Sequence, residues 1–239
     1  MAVPLKIFFV SPEISPFAKT GGLADIASAL PKEIKNAGHD IRLFMPQYTV
    51  VNDRKFVLRE VIRLKKLDIP FGDTRIHVNI KSSFLPDTKI QVYFLDYPPY
   101  FNREEFYVDP KTNRDYADNA ERFALFCRSA IETLKRLHWH PDVIHCNDWQ
   151  TGFIPVFLKT LYKDDDSFKN TKTLFTIHNL AYQGIFPVSK LKMTGLPDTL
   201  FTIGNSLEYY GKVSFLKAGI EYADLINTVS PTYNQEIQN

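Results

Sequence analysis

Apolar residues recur along this chain in two rhythms. Short continuous runs, LKIFFV (Leu5 to Val10), IRLFM (Ile41 to Met45), DVIHC (Asp142 to Cys146), TLFTI (Thr173 to Ile177) and LINTV (Leu225 to Val229), read as strands covered on both faces. Between the first two, Leu23, Ile26, Ala27, Leu30, Ile34 and Ala37 return at helical spacing, and Gly38 is placed to stop that helix. The same spacing predicts a long helix from about Tyr116 to Leu137, with Phe123, Phe126, Ile131 and Leu134 toward the core. It also predicts helices over Trp149 to Tyr162 and near Phe215 to Tyr222. The segment 56–95 breaks the alternation. Phe56 to Leu67, Arg75 to Ile80 and Ile90 to Leu95 are β-prone pieces joined by Pro70, Gly72, Pro86 and Asp87, and are expected to extend or decorate the sheet.

Strand and helix in alternation imply one α/β domain over residues 1–239, with a Rossmann-like, doubly wound, mostly parallel sheet and helices on both faces. Composition changes little in that picture. Hydrophobic content is 44%, charged content 23% and net charge +2, ordinary for a globular protein. The densest basic cluster, Arg59 to Lys66, alternates with apolar residues and reads as the wet face of a strand, so no nucleic-acid partner is expected. No apolar run approaches the roughly 20 residues of a membrane helix, so no membrane partner is expected either. Cys127 and Cys146 fit neither a metal cluster nor a redox pair, which points to a reduced, cytoplasmic protein. Asp164-Asp165-Asp166 reads as a solvated loop, and Met193 and the Phe201 to Tyr210 stretch as packing.

A doubly wound sheet binds ligands at the carboxyl ends of its strands. Three strand ends carry unusual residues: Lys19-Thr20-Gly21-Gly22 after the first, Asn147-Asp148-Trp149 after DVIHC, and His178-Asn179 after TLFTI. All three are expected to converge on one rim. Glycines at a helix start let backbone N–H groups and the helix dipole face an anion, and Lys19 adds a charge, so the first loop suits a diphosphate. The alternative is that Gly21-Gly22 only permits a tight turn. Neither G-x-G-x-x-G nor a Walker loop is present, which removes the main support for dinucleotide oxidoreductase and P-loop NTPase readings. His178-Asn179, followed by Tyr182, Gln183 and Gly184, offers directional hydrogen bonds suited to sugar hydroxyls, against a purely structural histidine. Asp148 either caps the helix after DVIHC or, if Asn147 caps instead, faces the cleft. Trp149 is expected in the core. The loop DYPPYFNR (Asp96 to Arg103) brings Tyr97, Tyr100 and Phe101 together, either to stack on sugars or to anchor the loop.

The segments KTGGLADIASALP, DVIHCNDWQTG, FTIHNLAYQG and VSFLKAGIEYADLINTVSPTY together resemble the bacterial-type glycogen synthase and plant starch synthase family, over essentially the whole chain. KTGGL with HNLAYQG and SFLKAG is a very specific combination; a sucrose-synthesising relative would not account for it. The resemblance implies a retaining glucosyltransferase of GT-B architecture. Such an enzyme moves glucose from ADP-glucose or UDP-glucose to the non-reducing 4-hydroxyl of an α-1,4-glucan, with no cofactor and no metal. It implies Lys19, Thr20, Gly21, Gly22 and Asn179 at the donor, and Asp25 near it or supporting the loop. Asp148, His178 and Lys19 are then the catalytic candidates, with Tyr100, Phe101, Arg103 and Gln183 bordering the sugar site. One departure bears on the last group: family members often carry a tyrosine where this chain has Phe101, so no role for that hydroxyl transfers.

GT-B enzymes bind the donor between two Rossmann-like domains, and only the first has a counterpart here. The resemblance therefore implies an N-terminal, acceptor-side half whose partner is a second, nucleotide-binding domain. Such a half is expected to have negligible transferase activity alone, with a Lys19 loop that closes over a sugar nucleotide and reopens. The rival expectation is a non-catalytic glucan-binding or interaction module.

Overall fold

The short apolar runs become the middle of one sheet. A computed structural model describes residues 3–202, 204 and 206–238. In chain order the elements are β1 (Lys6–Val10), α1 (Gly22–Asn36), β2 (Asp40–Pro46), β3 (Arg59–Glu60), β4 (Leu67–Phe71), β5 (Thr74–Phe84) and β6 (Gln91–Asp96). The short α2 (Pro98–Phe101) and the hairpin β7 (Val108–Asp109) and β8 (Arg114–Asp115) lead to α3 (Asn119–Leu137), β9 (Val143–Asn147), α4 (Phe153–Lys159) and β10 (Lys172–Ile177). A small sheet of β11 (Ile185–Pro187), β12 (Glu208–Tyr209) and β13 (Lys212–Ser214) precedes α5 (Phe215–Tyr222), β14 (Leu225–Thr228) and α6 (Pro231–Glu236).

The main sheet runs β14-β10-β9-β1-β2-β6-β5-β3, with β4 paired to β5. The strands from β14 to β6 are parallel, and β5 joins them antiparallel, so the sheet is mixed. From β1 the chain crosses to β2 on one side, and from β9 it crosses to β10 on the other. Right-handed crossovers in opposite directions put α1 and α4 on opposite faces and leave a crevice where the order reverses, between β1 and β9. Register sets Val10, Cys146 and Phe175 level, so the loops after β1, β9 and β10 start from one rim.

Phe123, Phe126, Ile131 and Leu134 are all buried on α3, as their spacing predicts. Gly38 follows α1 at φ +96; its N–H bonds Lys35 O and that of His39 bonds Ile34 O, the paired closure of a left-handed helix end.

Other expectations change. The helix after DVIHC is shorter than predicted: a 3₁₀ turn, Trp149–Thr151, precedes α4, and at Gly152 between them a Cβ would sit 1.9 Å from Phe215 O, so glycine is required there. Phe56 to Leu67 is strand only at β3 and at Leu67, where β4 begins. It contains a 3₁₀ turn, Ile62–Leu64, which buries Leu64, and Lys66 at φ +49, so Arg59 to Lys66 is not the wet face of a strand. The LINTV run is an edge strand with Leu225 and Ile226 exposed, because only β10 flanks it. On α1 the small residues Ala24 and Ala27 are buried with Pro31, while Ile26 and Leu30 stay 40% and 37% exposed. Within the acidic loop Asp165 is no free charge: it pairs with Lys135 at 2.7 Å and accepts the Ser167 N–H. Met193, Phe201 and Leu207 pack as expected, but Tyr210 is exposed; Ile203 and Asn205 lie outside the described residues. No described helix is long and apolar enough to cross a membrane.

Candidate active site

The crevice opens into a cavity of about 1050 Å³. Its floor is a hydrogen-bond net across three strand ends. Asn147, at the end of β9, donates from Nδ2 to Val10 O of β1 at 3.0 Å, which leaves its Oδ1 to accept. His178, just past β10, meets that Oδ1 through Nε2 at 2.9 Å, so the histidine carries its hydrogen on Nε2 and keeps Nδ1 as an acceptor. Burial lowers the His178 pKa to about 4, so the ring is neutral near pH 7.

Asp148 is 7% exposed and does not cap the following turn with its side chain. Its Oδ1 accepts the N–H of His178 at 2.7 Å and of Asn179 at 3.4 Å, leaving Oδ2 without a protein donor among the described residues. Burial raises its pKa to about 6, against the lowering effect of those two N–H bonds. Its backbone sits at φ +58, ψ 177, a conformation non-glycine residues rarely adopt, and is held there by Asp148 N–H to Thr176 O. The strain aims the carboxyl at the segment after β10. Trp149 is largely buried, packed on Phe123 and Phe215, and forms part of the cavity wall. Gly184, at φ +58, lies on its indole, where a Cβ would come within 2.3 Å. Only glycine fits that contact.

The opposite wall is the loop before α1. Thr20, Gly21 and Gly22 line the cavity. Gly21 is extended, neither glycine has a positive φ, and a Cβ at either would meet nothing within 4 Å. The backbone turn therefore does not demand glycine, and the open space at both positions faces the cavity. Lys19 and Asp25 do not line it; the Lys19 ammonium rests on both oxygens of Asp25 at 2.8 and 2.7 Å, with the two side chains 50% and 56% exposed.

The structure adds residues that sequence reasoning missed. Glu13, 3% exposed, accepts hydrogen bonds from the Thr20 N–H, the Thr20 hydroxyl and the Tyr107 hydroxyl, fixing the loop to the far side of the cavity. A single glutamate in SPEISP carries no sequence signal beyond lying between β1 and the glycine pair. Tyr209 also lines the cavity, as do Leu23 and Ile26, which explains the exposure of Ile26.

Gln183 and Asn179 reach the cavity, but Tyr100, Phe101 and Arg103 do not. Phe101 is fully buried between Tyr48 and Phe123, under the Arg122 guanidinium. The Tyr100 carbonyl accepts a hydrogen bond from Arg122 Nε, and Arg103 pairs with Asp118 over the Tyr116 ring. The DYPPYFNR loop is thus anchored inward.

Comparison with known proteins shows the family and the fold. Residues 6–239 match the family described as starch synthase catalytic domain. A glycogen synthase from Desulforudis audaxviator is 45% identical over 98% of this chain and 46% of its own length. One from Thermotoga maritima is 44% identical over 98% of this chain and 47% of its own. The catalytic domain of starch synthase IV from Arabidopsis thaliana, bound to ADP and acarbose, superposes with a TM-score of 0.87 at 28% identity, over 99% of this chain and 47% of that one. The chain spans about half the length of the curated relatives it matches.

Proposed function

The chain belongs to the starch synthase catalytic domain family, and we propose that it forms the acceptor-side half of a glucosyltransferase of glycogen or starch synthesis. The donor is ADP-glucose or UDP-glucose, and the acceptor is the non-reducing 4-hydroxyl of an α-1,4-glucan. The observation that carries this reading is the facing of two unlike walls across one cavity: an open glycine pair at the start of α1, and the Asp148, His178 and Asn179 net at the ends of β9 and β10.

The donor diphosphate lies against Gly21 and Gly22, where backbone N–H groups and the positive end of α1 face it. Lys19 leaves Asp25 to meet its charge. The transferred glucose lies toward the floor, where His178 Nδ1 and Asp148 Oδ2 accept hydrogen bonds from its hydroxyls and the Asn179 and Gln183 amides add donors. Transfer proceeds with retention. The acceptor hydroxyl attacks C1 from the face the diphosphate leaves, and an oxygen of the departing phosphate takes its proton. No protein nucleophile is needed; positioning and stabilisation of the leaving charge lower the barrier.

On this reading a second, nucleotide-binding domain supplies the nucleoside pocket and further cations for the diphosphate. The chain alone then has negligible transferase activity. The test is binding of maltoheptaose and, separately, of ADP-glucose, read by calorimetry or NMR shifts. Glucan binding at the cavity with very weak donor binding is expected. Glucan binding with no donor response, even after the second domain is supplied, favours the non-catalytic module. Lys19-dependent glucose transfer by this chain alone overturns the division of labour.

A further inference from the structure

A second concavity, of about 410 Å³, lies at the far end of α3 from the cleft. The N-terminal part of α3 packs on Trp149 through Phe123, and its 19 residues carry the chain about 28 Å away. There Lys135, Arg136 and His138 meet Arg63, Lys65 and Lys66, which come from the turn between β3 and β4.

Five permanent cations face only two carboxylates in this wall, Asp68 and Glu132. Both carboxylates are already engaged: Asp68 by Arg75 and His77, Glu132 by the Tyr162 hydroxyl. Lys65 pairs with Glu60 and Lys135 with Asp165, outside the wall. Arg63, Lys66 and Arg136 have no carboxylate partner among the described residues. Arg136 is fixed by its Nε, which donates to Arg63 O at 3.0 Å and leaves both Nη groups for another acceptor.

The negative end of the α3 dipole accounts for Lys135 and Arg136. It does not account for three more cations brought from a segment some seventy positions earlier in the chain. Nor are these on a loose loop. Leu64 is fully buried, its N–H bonds Val61 O, and Lys66 N–H is held by Asn79 Oδ1 at 2.9 Å. An anchored turn holds Arg63 and Lys66 near Arg136 with no carboxylate paired to any of the three, at a cost in mutual repulsion that a bound anion would remove.

We propose that this concavity binds a small phosphate monoester, with Arg63, Lys66 and Arg136 as its phosphate ligands. Guanidinium forks match phosphate oxygens in geometry, and Lys66 adds a point charge. The site is independent of the cleft and of the function proposed for it. A concavity of this size suits a small metabolite.

The test is an amide-shift titration of the chain with inorganic phosphate, with glycerol 3-phosphate and with glycerol, at ionic strength held constant with potassium chloride. Saturable shifts at residues 63–68 and 132–138 are expected for the two phosphates and not for glycerol. Tighter binding of the ester means that its carbon skeleton is also recognised; equal binding means that the phosphate alone is read. The double variant Arg63→Gln/Lys66→Gln changes exposed side chains only and is expected to keep the melting temperature. It is expected to weaken phosphate binding roughly tenfold or more. Shifts that follow chloride as well as phosphate, that glycerol reproduces, or that survive in the double variant overturn the proposal.

Discussion

At the floor of the cleft, Asn147, Asp148 and His178 each hold two or more hydrogen bonds to neighbouring strand ends, and a strained backbone is pinned in place. At the rim, Lys19 and Asp25 hold little besides each other, half in water. The two regions differ in who supplies the order. The fold itself builds the floor, so its acceptors are in position before any ligand arrives, as a site that stabilises developing charge requires. The rim is held by an exposed ion pair worth about 0–1 kcal/mol, so the diphosphate proposed above would displace it at little cost. Between them stands Glu13, which ties Thr20 to Tyr107 and so joins the rim loop to the body.

The glycines give the strongest way to break this contrast. Gly184→Ala drives a Cβ to 2.3 Å from the Trp149 indole at a positive φ, and is expected to cost about 3 kcal/mol. Gly22→Ala meets nothing within 4 Å and is expected to change stability by no more than about 0.5 kcal/mol. Urea unfolding of both variants checks the pair. Equal losses would mean that the rim glycines are structural after all, and the space beside them would need another explanation.

The floor should also declare itself in pH dependence, with two opposite slopes. The Asp148 pKa is raised to about 6 by burial, so the folded state holds that proton longer than the unfolded chain does. Its contribution to stability is full below the ordinary aspartate value and is lost as pH rises toward 6. Asp148→Asn removes that loss: the variant is expected to gain up to about 3 kcal/mol at pH 7 and nothing below pH 4. His178 runs the other way. Its pKa is lowered to about 4, so its contribution is full above the ordinary histidine value and is lost as pH falls toward 4. In His178→Gln the decline toward pH 6 should therefore stand out more, opposed only by the buried His145, whose pKa burial lowers to about 3. Denaturant midpoints from pH 4 to 8 read both slopes, and a flat Asp148→Asn difference across that range would show the carboxyl to be ordinary.

The floor was largely legible in the sequence because parallel strands covered on both faces leave unbroken apolar runs. DVIHC and TLFTI end abruptly in Asn147-Asp148 and His178-Asn179, and that change of chemistry marks the strand ends. What failed to show has physical reasons. The Phe56 to Leu67 piece has strand-like composition, but a left-handed residue at Lys66 and a buried Leu64 turn it inward, and neither depends on a residue type that announces a turn. Ile26 and Leu30 keep helical period yet remain exposed, since period gives a face and not what covers it. Phe101 sits in an aromatic loop that resembles a sugar platform, but Arg122 of α3, over the Phe101 ring and bonded to the Tyr100 carbonyl, draws the loop into the core. Glu13 depends on partners 7 and 94 positions away, which no local pattern reveals.

Glu13 gives a prediction of intermediate size. In Glu13→Gln one acceptor oxygen becomes an amide that faces the donors on Thr20 or Tyr107. A loss of about 1–1.5 kcal/mol is expected, confined to the loop. Hydrogen exchange should accelerate roughly tenfold at the Thr20 amide, while the amides of His178 and Asn179 keep their protection. Equal acceleration at all three would mean that rim and floor open together, as one unit.

The smallest effect tests the rim itself. Asp25→Asn leaves the side chain's shape and removes its charge, so it costs the exposed Lys19 pair and a first-turn interaction with the α1 dipole. Together these are worth less than about 1 kcal/mol, and less again in high salt. If Asp25 merely rests Lys19 until an anion arrives, the variant frees the ammonium and removes a negative charge from beside the anion site. Pyrophosphate, used as a probe of the Gly21-Gly22 wall, should then bind at least as tightly as it does to the parent chain. A clearly weaker grip, with stability unchanged, would mean that Asp25 aims Lys19 at the diphosphate, and the rim would prove to be prepared for its ligand as the floor is.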